Sequence, residues 1–130
     1  MIRSQFILDI LDLLLDVEED ALFIKNQIKY LSDNSDYEYT SGAGCFITFS
    51  QTNTEKIIKY KLDKNIVFDK VKIESEGIEA EAILHLKDGI IDNLEIWAHI
   101  GNYPNKELTS YTLSQEWEGS NKRVIKKYKL

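Results

Sequence analysis

The stretch from Val71 to Ile100 constrains the fold more than any other part of the chain. It contains Ile78, Ala80, Ala82, Leu84 and Leu86, alternating with Glu79, Glu81, Ile83 and His85. A period of two marks a half-buried strand, apolar towards a core and polar away from it. Glu76-Gly77 stands before this run and Lys87-Asp88-Gly89 after it. Gly supplies the positive φ that tight reversals need, so the pattern predicts three consecutive antiparallel strands, Ile66 to Ser75, Ile78 to Leu86 and Ile90 to Ile100.

Side-chain parity predicts a register. A two-residue Asp88-Gly89 loop sets Leu84 opposite Asn93 and Ala82 opposite Glu95, which makes the core side polar. A three-residue Lys87-Asp88-Gly89 loop instead sets Leu86 opposite Ile90, Ala82 opposite Leu94 and Ala80 opposite Ile96. Burial fixes register, so the three-residue loop is expected. Glu79 then faces Trp97, Glu81 faces Glu95 and His85 faces Ile91 on the outer side. The Glu76-Gly77 turn sets Glu74 opposite Glu79 and Lys72 opposite Glu81. Val67, Val71 and Ile73 are expected to share the core face. His99 falls eight positions from His85, roughly 26 Å along the sheet, which excludes a two-histidine site.

Ahead of the sheet, Phe6, Ile10, Leu13, Val17, Ala21, Ile24, Ile28 and Leu31 recur every three or four residues. This predicts helix over residues 2–31, as one helix or as two broken at the acidic run Asp16 to Asp20. Further strands are expected at Cys45 to Ser50 and at Lys56 to Leu62. The expected fold is α+β: an N-terminal helix or helix pair on one face of an antiparallel meander of about five strands. Residues 1–130 are read as one domain, helical over 2–31, sheet over 45–100 and irregular over 101–130.

Charge narrows the function. The chain carries 22 acidic and 16 basic residues, a formal net charge of −6. A negative surface repels nucleic acid and anionic lipid and steers cationic partners, so neither a nucleic-acid nor a membrane partner is expected. The first 40 residues hold nine acids against three bases, and the last ten hold five bases (Lys122, Arg123, Lys126, Lys127, Lys129) and no acid. A basic tail lying near the acidic helix is expected. Asp9, Asp12 and Asp16 interrupt the N-terminal apolar run, against a secretory or membrane segment, and cytoplasmic residence follows as the expectation. Cys45 is the single cysteine; it reads as a buried thiol. Nothing in the sequence has the spacing of a metal site, a phosphate loop or a nucleophile elbow, so no metal, cofactor or catalytic residue is assigned.

The segments Glu79-Ala80-Glu81-Ala82, Leu86-Lys87-Asp88-Gly89 and Ile91-Asp92-Asn93-Leu94-Glu95-Ile96-Trp97, followed by Gly101, Tyr103 and Pro104, resemble a pattern in small bacterial immunity proteins of polymorphic and contact-dependent growth inhibition toxin systems. The resemblance covers roughly residues 66–104. It implies a non-enzymatic protein that neutralises a cognate toxin domain, a basic nuclease being the expected kind, by occluding its surface. The residues assigned to partner binding are Glu74, Glu79, Glu81, Glu95, Trp97 and Tyr103, with Asp16, Glu18, Glu19, Asp20, Asp33, Asp36 and Glu38 as a second surface. The alternatives are a structural domain that self-associates through Trp97 and Tyr103, and an acid/base enzyme using Glu81 or Glu95.

Overall fold

The computed structural model describes residues 2–16, 21–32, 36–52, 54–59, 66–116 and 120–126. It is α+β, with helix near the N-terminus laid on an open antiparallel sheet. The helical segment is a pair: α1 (Gln5–Leu15), α2 (Ala21–Lys25) and then a 3₁₀ turn (Ile28–Tyr30). Ser4 caps α1, its hydroxyl accepting from the Ile7 N–H at 3.1 Å, which satisfies one of the orphan amides of the first turn. Phe6, Ile7, Ile10, Leu11, Leu13, Leu14 and Leu15 are all buried, a stripe wide enough to lie flat on a sheet. It packs on β3 (Ile66–Ser75), β4 (Ile78–Lys87) and β6 (Tyr111–Gln115). Val17 to Asp20 lie outside the described residues, as does Asp33.

The sheet has seven strands rather than about five. The others are β1 (Asp36–Thr40), β2 (Gly44–Thr48), β5 (Ile90–Ile100) and β7 (Arg123–Lys126), and the order is β1-β2-β5-β4-β3-β6-β7. The expected meander β3-β4-β5 forms the centre, and a hairpin docks on each side of it. Residues 101–130 are therefore not irregular throughout: Tyr111, Leu113 and Gln115 are buried on the free edge of β3. The strand expected at Lys56 to Leu62 is absent among the described residues. Thr54–Lys56 is a 3₁₀ turn, and the Ile58 carbonyl accepts from the Gln27 side chain at 3.0 Å instead of from a neighbouring strand. Residues 60–65 lie outside the description.

The β4–β5 register also differs from expectation. The turn is the two-residue one, with Lys87 opposite Ile90 and positive φ at both Asp88 (52°) and Gly89 (79°). Those are the torsions of a type I′ turn, whose twist suits a hairpin. Parity is rescued by a bulge at Asp92. Leu86 pairs with Ile91, but Leu84 then pairs with Leu94 and Ala82 with Ile96, so one extra residue restores the apolar face. The bulged Asp92 carbonyl accepts from Phe49 N–H at 2.9 Å. A second bulge, at Asp69-Lys70 in β3, reverses parity there. Phe68 turns towards the core and Val67 is half exposed, contrary to the expected Val67/Val71/Ile73 face.

Two buried glutamines fasten helix to sheet. Gln27 donates to Ile58 and Gly89 carbonyls and accepts from Ile91 N–H. Gln115 donates to the Leu13 and Asp16 carbonyls at the end of α1, where a helix has no partners of its own. Asp16 is ion-paired to Lys122 and lies 3.8 Å from Lys25. That bears out the basic segment lying near the acidic helix as far as Lys122; residues 127–130 are outside the description.

Candidate functional site

The helices cover one face of the sheet. Cross-strand partners share a face, so the paired residues trace the other. One row runs Ile125, Thr112, Glu74, Glu79, Ile100 across β7-β6-β3-β4-β5. The next runs Arg123, Ser114, Lys72, Glu81, Trp97, Gly44, Thr40 from β7 to β1. Ile83, Glu95, Phe46 and Glu38 follow, then Val67, His85, Asn93, Thr48 and Asp36. No described element packs over these rows. Trp97 is 50% exposed, Ile100 56% and Phe46 39%. The six carboxylates Asp36, Glu38, Glu74, Glu79, Glu81 and Glu95 stand against Lys72, Lys87 and Arg123, so the face is net acidic.

Five of the six expected partner-binding residues, Glu74, Glu79, Glu81, Glu95 and Trp97, lie on this face. Tyr103 does not. It is 3% exposed, and its backbone bridges to Gly42. It packs with Tyr39 and Cys45 in the core, where burial pushes the phenol pKa well above its usual range. The same burial, with the Glu107 charge as a second cause, pushes the Cys45 thiol up to about 11, so Cys45 is the buried neutral thiol expected from sequence. Of the second surface, Asp36 and Glu38 sit on edge strand β1, and Asp16 is engaged by Lys122.

The register change rearranges the charges. Glu81 faces Trp97 and Glu95 faces Ile83, so the Glu81/Glu95 pair expected from the three-residue turn is not formed. Each carboxylate instead has a histidine: His99 Nε2 lies 3.4 Å from Glu81 and His85 Nε2 3.4 Å from Glu95. His99 is the odd residue of a bulge between Ala98 and Ile100. Glu74 and Glu79 are directly opposite, as expected. Lys72 sits between them and offsets one of the two charges, with Nζ 3.0 Å from Glu79 and 3.6 Å from Glu74, and the hydrogen bond to Glu79 with the Glu74 charge raises the lysine pKa. Glu81 and Glu95 are thus diagonal rather than direct neighbours across β4 and β5, and each carboxylate lies against its own histidine.

Beside Trp97 the face has a notch. Phe46 lies opposite Glu95, and two residues on, Gly44 lies opposite Trp97. Three corners of this square carry large side chains and the fourth carries none. The result is a cavity of about 110 Å³ walled by Phe46, Trp97 and Glu95. A Cβ at Gly44 would fall 1.9 Å from the Ile96 carbonyl oxygen, so glycine is what lets β2 approach β5 here. Sequence reading missed Phe46 and Gly44, because nothing local shows that β2 borders β5. No group of three or more His, Cys, Asp or Glu among the described residues could hold a metal ion, and no described helix is long and apolar enough to cross a membrane. Compared with protein-family models, curated proteins and solved structures, the chain matches none.

Proposed function

We propose that this chain is an immunity-type binding protein that docks the outer face of its sheet on a basic toxin domain and neutralises it by occlusion. The observation that carries this reading is the uncovered, net-acidic face with half-exposed Trp97 at its centre. Trp is a frequent interface anchor, and a field of carboxylates around it speeds encounter with a cationic partner. Self-association through the same face is disfavoured, because a two-fold dimer would press one net-acidic face against an identical one.

The test is to identify the genes that neighbour this chain's own, to co-express the chain with any toxin-type domain encoded there, scored by growth, and then to measure affinity across salt concentrations. Protection is expected, with affinity that falls as salt rises. A variant carrying Glu74→Lys, Glu79→Lys, Glu81→Lys and Glu95→Lys should lose protection while keeping its circular dichroism spectrum. Full protection by that folded variant would end the assignment of this face.

A further inference from the structure

The notch at Gly44 has a shape and chemistry of its own, and we infer that it receives a single arginine side chain of the protein partner. This inference rests on the docking reading above and specifies the contact at its centre. Three observations converge on arginine. First, two walls are aromatic: Phe46 follows Gly44 by two residues on the same strand, and Trp97 stands directly across from it. A guanidinium is flat, weakly hydrated and stacks on such rings, whereas an ammonium keeps its water.

Second, Glu95 closes the third side. Its carboxylate contacts His85 of β4 at 3.4 Å, one strand away from Phe46 and Gly44, and a guanidinium entering the notch would compete with that imidazole for it. Glu81 flanks Trp97 from β4, directly opposite it. Lys72, on the same row beyond Glu81, is already held by Glu79 and Glu74, so the nearest cation on the face is directed away from the notch. A carboxylate can take a guanidinium through two parallel hydrogen bonds.

Third, the space is small. At about 110 Å³ it accepts one side chain rather than a peptide segment or a cofactor, and pockets that hold whole small molecules run from roughly 300 Å³ upward. Its floor is backbone, since Gly44 has no side chain and cannot acquire one without moving β5.

The test uses the full chain and N-acetyl-Gly-Arg-Gly-amide as probe, followed by the Trp97 indole N–H resonance in NMR titrations. Matched peptides carry citrulline, lysine or leucine in place of arginine. The arginine peptide should shift the resonance and bind about fivefold more tightly than the citrulline peptide. Glu95→Gln and Phe46→Ala should each weaken it several-fold. Asp12→Asn, an equal charge change on the helix side, should leave it unaltered. Equal binding of arginine and citrulline peptides, or of arginine and leucine peptides, overturns the inference. So does a loss with Asp12→Asn as large as with Glu95→Gln, since general electrostatics would then account for the binding. Lysine binding as tightly as arginine removes the stacking and overturns it too. A failed titration alongside salt-sensitive toxin binding refutes the notch and leaves the docking face standing; loss of both refutes both.

Discussion

The two faces of this sheet come from the same strands and follow opposite rules. Inward, Ala80, Ala82, Leu84, Leu86, Leu94 and Ile96 are at most 2% exposed, and position alone decides their worth. Outward, Glu79, Glu81, Glu95 and Trp97 alternate with them and stay in contact with water. The inner face holds the fold by removing apolar surface from solvent. The outer face gives up that gain and keeps carboxylates and an indole available. Burial and exposure are therefore separated residue by residue along β4 and β5.

That separation can be broken from the inner side first. Leu84→Ala, on the central strand under α1, should cost about 2–5 kcal/mol in urea unfolding. The outward neighbours are the control, since Glu81→Gln should stay within about 0.5 kcal/mol. A Leu84→Ala cost below that of its outward neighbour would refute the division. Next is the tether: Gln27→Ala leaves the Gly89 carbonyl and the Ile91 amide without their partner. It should cost about 1–3 kcal/mol, and hydrogen exchange at the Ile91 amide should quicken more than at Leu94.

A smaller effect separates the ionic contacts by pH. The hydrogen bond from Lys122, with the Lys25 charge, holds Asp16 below its ordinary 3.8 despite partial desolvation. A carboxylate depressed in the folded state contributes stability above its unfolded value and loses it as pH falls through the folded one. Wild type should therefore melt slightly above Asp16→Asn at pH 6, by an amount that shrinks below pH ~3.8 and disappears in stronger acid. As a partly exposed ion pair it should contribute no more than about 1 kcal/mol. A gap that persists unchanged at low pH would place the effect in packing.

The meander was legible because its signals are local. Ile78 to Leu86 alternates without interruption, and Gly77 and Gly89 mark its ends. The bulge at Asp92 was not, because one extra residue leaves no trace in composition and its benefit appears only when Leu84 meets Leu94. The same logic hid β6 and β7: Tyr111, Leu113 and Gln115 form a strand by pairing with β3, some forty positions earlier. The five charged and aromatic face residues followed from parity, which survives a register error of two. Tyr103 did not, since an aromatic after glycine in a loop looks alike whether it turns outward or inward. Gln27 and Gln115 carry no sequence signal; a buried glutamine is recognisable only by the carbonyls it reaches.

The close approach at Gly44 has a further consequence for how binding reports on folding. The notch exists only where β2 has reached β5, and Ile47 finds Leu94 from about 47 positions away, whereas β3, β4 and β5 are joined by tight turns. Closing a longer loop costs more chain entropy. A chain with its meander assembled but β2 undocked would display Trp97 and Glu95 without Phe46 beside them. Recognition would then act as a proofreading step on the molecule's own maturation, rewarding only chains whose most distant strand pairing is complete.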